Sequence, residues 1–270
     1  MIFATGDTHA DFRRFSNHIF PEQKEMTRDD IILIAGDFGG IWYPNAPHPL
    51  MDERNRLDCI KTANAELDVL SNRKPTFCYV LGNHENWNRY DSDEFKTVDF
   101  YGGKAKQIRE NVYMLMSGYI FDFNGYKVYA FGGASSHDIS DGILDRADFD
   151  SDEDFKKAYK KWKKERTFFR IKDFSWWERE CKPTDEEITR GWKNLEDHEN
   201  QVDLVLTHCL PQSVASVYSH GMYKPDNVTR YLQMVFETVD FKNWICGHYH
   251  DNTTIMGKFH ILYEQIVQIQ

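Results

Sequence analysis

The chain has 270 residues, 41% of them hydrophobic and 15% aromatic, which is enough apolar material for one large core without disulfides. Its formal net charge of −10 at pH 7 disfavours binding to extended duplex nucleic acid, which usually needs a basic surface. No apolar run is long enough for a membrane span, and a strand-like segment already begins at Ile2, so we expect no signal peptide and a cytoplasmic location. The five cysteines lack Cys-x-x-Cys spacing and are expected to be reduced.

The first third of the chain predicts alternating strands and helices. Three short apolar runs have the composition of buried strands, at 2–4, 31–35 and 77–81. Between the first two runs, Phe12, Phe15 and Ile19 recur at helical spacing. A longer amphipathic pattern over 57–70 precedes the third run, so this part of the chain is predicted to be β-α-β.

The rest of the chain, apart from its middle, is predicted to be richer in strands. Two pairs of apolar runs predict β-hairpins because each is separated by turn-forming residues. They are 119–123 and 126–131 around Asn124-Gly125, and 253–256 and 259–267 around Gly257-Lys258. Two further apolar runs, 202–206 and 244–246, predict buried strands.

Residues 142–201 are highly charged and helical in pattern, and we interpret them as an insertion. Phe155, Tyr159 and Trp162 share one helix face, surrounded by lysines. That face could bind nucleic acid, but an amphipathic helix with its aromatic side chains packed inward is favoured. A second aromatic cluster in the segment could cap a site or pack in the core, and the sequence leaves both open. Its members are Phe174, Trp176 and Trp177.

Five motifs rich in Asp, His, Asn and Gly each follow one of the apolar runs directly. They are Gly6-Asp7-Thr8-His9, Gly36-Asp37-Phe38-Gly39-Gly40, Gly82-Asn83-His84-Glu85, Thr207-His208 and Gly247-His248-Tyr249-His250. Functional side chains of sheet-based enzymes gather at strand ends, so these residues are expected to meet. Mixed carboxylate, imidazole and amide ligands suit Mn, Fe, Zn or Ni better than Ca or Mg. The motifs therefore predict a two-metal site.

In their order, the five motifs resemble those of the calcineurin-like metallophosphoesterase superfamily. The resemblance implies that Asp37 bridges two metal ions, that three residues hold one ion and that three others hold the second. The first set is Asp7, His9 and His250, and the second is Asn83, His208 and His248. It also implies an α/β (α+β) fold, with two packed mixed β-sheets flanked by helices in a four-layer sandwich. The expected organisation is a single domain, 1–270, with 142–201 as a helical insertion and possible cap.

The expected chemistry is direct hydrolysis of a phosphate ester. Two divalent or mixed-valence ions about 3.5–4 Å apart can clamp an in-line phosphoryl displacement and lower the pKa of water from about 15.7 to about 7. Manganese is the expected ion, with Fe, Zn or Ni as alternatives. By the resemblance, His84 lies on the leaving-group side and donates a proton, which contributes about 10²–10⁴-fold. The alternative for His84 is a turn histidine held by Glu85.

The second motif lacks the Asp-Arg-Gly continuation of protein Ser/Thr phosphatases, because Gly36-Asp37 is followed by Phe38-Gly39-Gly40. The chain therefore looks more like the bacterial and phage-type enzymes that act on nucleotides or other small phosphate monoesters and diesters. Arg109 or Arg146 could contact such a substrate, and residues 132–138 could lie near the site. Two alternatives remain: a nuclease acting on single-stranded nucleic acid, and a metal-free scaffold of the same fold.

Overall fold

Two mixed β-sheets pack face to face in the computed structural model, which describes residues 1–270. The first sheet has seven strands, in the spatial order β15 (Val267–Gln268), β1 (Ile2–Thr5), β2 (Ile31–Ile34), β3 (Thr76–Tyr79), β6 (Val112–Leu115), β5 (Gly103–Arg109) and β4 (Lys96–Phe100). The second has six, in the order β13 (Thr253–Ile255), β14 (Phe259–Ile261), β12 (Asp240–Cys246), β11 (Gln201–Thr207), β8 (Tyr126–Phe131) and β7 (Tyr119–Phe123). Each sheet has a parallel centre and antiparallel edges.

Helices cover the outer faces of the sheets. The six α-helices are α1 (Glu53–Ser71), α2 (Trp87–Asp91), α3 (Asp152–Glu165), α4 (Asp185–Asp197), α5 (Gln212–Tyr218) and α6 (Asn227–Thr238). Helix α1 buries Leu67 and Leu70 in the core beside the first sheet. Leu195 of α4 and Leu232 of α6 lie in the core beside the second sheet. A third core lies between the sheets, which confirms the expected four-layer arrangement. No helix combines the length and the apolar character that crossing a membrane would need.

The predicted strands are present because their residues are buried on both faces. All four residues of β2 are at most 1% exposed, as a central parallel strand covered on both sides requires. The first predicted hairpin is also confirmed, with Phe123 opposite Tyr126. Its turn residues Asn124 and Gly125 both have positive φ, at 57° and 87°, as the favoured two-residue hairpin turn demands.

Two local predictions are wrong. The helical spacing of Phe12, Phe15 and Ile19 gives only a short 3₁₀ helix, Phe12–Phe15, because Ser16 is extended; Ile19 is 60% exposed. The second predicted hairpin is shorter than expected, since its returning strand ends at Ile261. The chain then crosses to the other sheet, where Val267–Gln268 pairs with β1. Short apolar runs specify a strand without specifying its partner.

The segment 142–201 contains helices α3 and α4 and a small parallel pair, β9 (Gly142–Leu144) and β10 (Phe169–Ile171). Its aromatic helix face packs inward, as favoured from the sequence. Phe155 is fully buried, and Tyr159 and Trp162 pack against its cluster. In the second aromatic cluster, Trp177 is 1% exposed and belongs to the core beside the first sheet.

Candidate metal centre

Five parallel strands drawn from both sheets end at the same edge, and the loops that follow them carry all seven predicted metal ligands. Asp7 and His9 follow β1, Asp37 follows β2, Asn83 follows β3, His208 follows β11, and His248 and His250 follow β12. The structure therefore brings together residues that are as far as 243 positions apart in sequence (250 − 7). The carboxyl edge of a parallel sheet is the usual place for such convergence.

One side of the centre is formed by Asp7, His9 and His250. The His250 Nε2 atom lies 3.2 Å from Asp7 Oδ2 and 3.1 Å from His9 Nε2. Ligand-type atoms of these three side chains all lie within 4.8 Å of one another. The grouping matches the first predicted ligand set.

The other side is formed around the Asn83 amide oxygen. Asn83 Oδ1 lies 3.2 Å from His208 Nε2 and 2.9 Å from His248 Nδ1. Asp37 lies between the two sides, with Oδ1 3.3 Å from His208 Nε2 and Oδ2 3.9 Å from His9 Nε2. That is the position that a bridging carboxylate would occupy.

Glycines are needed beside the ligands because the ligand side chains fill the space that a Cβ would take. A Cβ on Gly36 would lie 2.2 Å from His208 Nδ1, one on Gly82 2.1 Å from Asp37 Oδ1, and one on Gly247 2.0 Å from Asp7 Oδ1. Real Cβ atoms do not approach other atoms so closely. These three glycines therefore permit a close approach of loops from different strands.

Four of the seven predicted ligands have left-handed backbone conformations. The φ angles are 45° at His9, 44° at Asp37, 70° at His248 and 50° at His250. Such conformations are uncommon for residues other than glycine, and they cluster at functional sites where surrounding structure holds them. Part of that support comes from Asp37, whose carbonyl accepts hydrogen bonds from the His9 and Thr8 amides at 2.8 and 3.1 Å.

Hydrogen bonds and charge prepare the imidazoles for binding a cation. The Nδ1–H of His208 donates to the Ala35 carbonyl at 2.7 Å, which directs Nε2 towards the centre. Burial opposes protonation of His208, but Asp37 outweighs it and raises the His208 pKa to about 9. A metal ion must therefore displace a proton from this side chain at neutral pH. Burial lowers the pKa of both His9 and His248, which favours the neutral, ligating form of imidazole.

The donor set fits divalent metal ions. Carboxylate, imidazole and amide groups meet with their lone-pair atoms 2.9 to 3.3 Å apart. Lone-pair atoms that face one another at these distances need a proton or a cation between them. Mixed oxygen and nitrogen ligands are typical of first-row transition metals.

His84 lies next to this centre. Its backbone N–H donates to Asp37 Oδ1 at 2.7 Å, and its ring lies between Trp42, at 5.8 Å, and His9, at 5.0 Å between centroids. Burial lowers the His84 pKa to about 4, so the ring is neutral at pH 7. Glu85 does not hold this ring, because its carboxylate accepts hydrogen bonds from the Phe38 and Gly39 amides.

Ser136 and Glu180 support Asn83, and of these two the sequence did not single out Glu180. The Asn83 Nδ2 donates to Ser136 Oγ at 3.2 Å, and Ser136 Oγ donates to Glu180 Oε1 at 2.5 Å. Anchoring of the amide nitrogen turns Oδ1 towards the histidines. Glu180 is fully buried, its Oε2 has no hydrogen-bond partner, and burial raises its pKa to about 8. Ser136 lies within 132–138, the stretch expected near the site.

The arginine at the centre is Arg170, from the segment 142–201. Its Nη2 lies 2.9 Å from His84 Nε2. The two arginines proposed from sequence are engaged elsewhere: Arg109 with Asp68 at 2.7 Å, and Arg146 with Asp152 at 2.6 Å. No local signal marks Arg170, because it lies in a short apolar strand.

Cavities flank the centre on two sides. One, of about 460 Å³, is lined by His9 and His84 and by the aromatic side chain of Trp42. The other, of about 500 Å³, is lined by His248 and Tyr223. Both are large enough for the organic part of a small ester.

Comparison with known families identifies one match. The calcineurin-like phosphoesterase family matches residues 1–252 of the 270. A comparison with curated proteins finds no match. The matched region includes all five motifs and the whole segment 142–201.

Proposed function

This chain belongs to the calcineurin-like phosphoesterases and is therefore a metal-dependent phosphoester hydrolase; from that premise we propose that it cleaves small phosphate monoesters or diesters with two bound ions. The observation that carries the proposal is the position of Asp37 between two groups of ligand-type side chains. A single-ion site would not need a shared carboxylate. The reaction we propose is in-line attack by water, without a covalent enzyme intermediate.

Asp7, His9 and His250 would hold one ion, Asn83, His208 and His248 the other, and Asp37 both. Manganese is the proposed ion, because the mixed oxygen and nitrogen donors suit it. When bound, two such ions stabilise charge on the phosphoryl oxygens and lower the pKa of water enough for attack at neutral pH.

His84 is the proposed proton donor to the leaving group. Its Nε2 faces the Arg170 guanidinium, which has only hydrogens to offer, so the neutral ring carries its proton on Nδ1. From Nδ1 it can donate a hydrogen bond to the departing oxygen, and a proton transferred to that oxygen would leave an imidazolate beside the Arg170 guanidinium. The stack of Trp42 against the ring fixes its orientation.

Small substrates fit this site better than polymers. The two cavities hold ester groups of limited size, and the aromatic face of α3 is packed inward, which removes the stacking surface a nuclease would use. We propose a nucleotide or similar small phosphoester as the substrate class. The five free thiols support a reducing, cytoplasmic location. We also propose that 1–270 is one domain, with 142–201 as an insertion that borders the candidate centre.

The test is hydrolysis of p-nitrophenyl phosphate and its bis-ester by metal-stripped protein reloaded with manganese. Asp37→Asn removes the shared negative charge, so we expect lower metal content and a loss of activity by several orders of magnitude. Asp29→Asn, at an exposed position, is the matched control and should behave as wild type.

Normal turnover by Asp37→Asn would refute the assigned centre. Wild-type protein that binds no metal would favour the scaffold alternative. Salt-sensitive binding and cleavage of a single-stranded oligonucleotide, with neither small ester hydrolysed, would favour the nuclease.

A further inference from the structure

Arg170 is a buried cation placed beside the candidate metal centre by a part of the chain that carries none of the five motifs. The residue is 7% exposed and lies on β10. Its Nη2 is 2.9 Å from His84 Nε2. His84 in turn shares a cluster with His9 and Asp37, whose ligand-type atoms all lie within 4.8 Å of one another. The guanidinium therefore borders the place where a substrate phosphate would sit.

Its neighbours orient the guanidinium and leave part of it available. Asp138 accepts from Nε at 2.6 Å, the Ser175 carbonyl accepts from Nη1 at 3.1 Å, and His84 faces Nη2. A guanidinium has five N–H groups, so these three partners leave one N–H on each Nη atom without a protein acceptor. N–H groups of a planar guanidinium are well suited to hydrogen bonds with phosphate oxygens.

A buried arginine needs a nearby negative charge, and the neighbouring carboxyl groups offset the charge of Arg170 only in part. The side chain of Asp138 is 52% exposed, so its charge is screened by water, whereas the Arg170 side chain is 8% exposed. Glu180 is also near, but its raised pKa of about 8 leaves its carboxyl uncharged at neutral pH. The site therefore retains positive charge that an anionic substrate can neutralise.

We propose that Arg170 binds the non-bridging oxygens of the substrate phosphate and favours the dianion of a phosphomonoester over a diester. A monoester carries close to two negative charges at pH 7, because its second pKa is about 6. A diester carries one charge and has one fewer non-bridging oxygen. This inference rests on the proposed phosphoesterase function and names its substrate class.

The test uses the full chain loaded with manganese, in the variants Arg170→Gln and Arg170→Lys. Lys164→Gln, which removes an exposed charge from the same segment, is the matched control. Inorganic phosphate is the binding probe, measured by calorimetry, and the two p-nitrophenyl esters are the substrates. We expect Arg170→Gln to weaken phosphate binding about 10- to 100-fold, as loss of hydrogen bonds to a charged group predicts. Metal content should not change.

The two esters should respond differently. Arg170→Gln should lower kcat/KM more for the monoester than for the bis-ester. The kcat/KM values of Arg170→Lys should lie between those of Arg170→Gln and wild type. Lys164→Gln should change kcat/KM for neither ester. Unchanged phosphate binding in Arg170→Gln, or equal losses for both esters, would overturn the proposal. If Arg170→Gln does not fold, the charge-preserving Arg170→Lys decides by the same two measurements.

The binding measurement needs no turnover, so failure of the two proposals can be told apart. Wild-type protein that binds manganese and phosphate but hydrolyses neither ester would count against the proposed function alone. Wild-type protein that hydrolyses the esters, with Arg170 variants that bind phosphate normally, would count against the role of Arg170 alone. His84→Ala separates direct binding from an effect through His84, because it should leave phosphate binding within about twofold of wild type. A larger loss in that variant would make Arg170 a positioning residue.

Discussion

The strand-end loops and the segment 142–201 meet at one site but are built in different ways. In the loops, four of the seven predicted ligands have left-handed backbone conformations, and three glycines leave room for ligand-type side chains from other strands. In the segment, Arg170 and Glu180 border the centre and contact residues beside it, His84 in one case and Ser136 in the other. The loops thus set the positions of the predicted ligands, and the segment supports and extends them.

This difference shows how a segment without any of the five motifs can contribute contacts to the candidate site. Segment 142–201 has its own small core around Phe155, yet it also sends Trp177 into the core beside the first sheet. Trp177 contacts Trp42 edge to face, and Trp42 stacks on His84. The segment therefore reaches the motif Gly82-Asn83-His84-Glu85 from more than one direction.

The largest expected effect is a loss of metal and activity when a glycine of the strand-end loops is replaced by alanine. In Gly36→Ala, the new Cβ would lie 2.2 Å from the His208 Nδ1, so the buried imidazole must move away from the centre. We expect loss of manganese and of nearly all activity, measured by metal analysis and hydrolysis of p-nitrophenyl phosphate.

Gly125→Ala is the matched control for that variant. Gly125 has a similar φ, 87° against 89°, but no atom within 4 Å of the new Cβ. It should cost only the left-handed strain of about 1–2 kcal/mol and keep metal and activity. Full metal content in Gly36→Ala would show that the strand-end loops tolerate movement of His208.

A smaller loss of activity is expected for His84→Ala. This variant removes the side chain of a strand-end loop that Arg170 of the segment 142–201 contacts. None of the seven predicted ligands is changed, so metal content should be retained, while the rate falls by about 10²–10⁴-fold through loss of proton donation. The loss should be greater for phenyl phosphate than for p-nitrophenyl phosphate, because the poorer leaving group needs more help. Equal losses for the two esters would remove the proton-donor role.

The smallest expected effect is on stability. It comes from Glu180, the buried carboxyl group of the segment 142–201. The pKa of Glu180 rises from 4.5 to about 8 on folding, so between these values the folded protein holds a proton that the unfolded chain has released. The free energy of unfolding should therefore fall as pH rises across this range, by about 1.4 kcal/mol per pH unit at most. Glu180→Gln should flatten that dependence in urea unfolding of the metal-free protein.

Glu178→Gln is the matched control: it changes an exposed carboxylate in the 3₁₀ helix Glu178–Glu180, which also contains Glu180, and should keep the wild-type pH dependence. A slope in Glu180→Gln as steep as that of wild type would show that Glu180 is ionised in the folded protein. The Glu180–Ser136–Asn83 chain would then carry a negative charge towards the centre.

Much of the fold was predictable because its strands are locally encoded. Runs such as 31–35 are apolar throughout, as expected for a strand that is covered on both faces. Asn124-Gly125 encodes its turn directly through two positive φ angles. The helix expected at Phe12 and the full length of the second hairpin were wrong, because both depend on where the chain turns after a short apolar pattern.

The sequence alone determined the fold class, the family and the set of seven side chains that the structure brings together. It could do so because those side chains sit in short motifs, each of which follows an apolar run in the sequence. Only the tertiary structure revealed Arg170 and the Ser136–Glu180 pair beside Asn83 and His84. Their positions follow from the packing of a distant segment, and the chemistry of a buried side chain depends on neighbours that sequence spacing does not record.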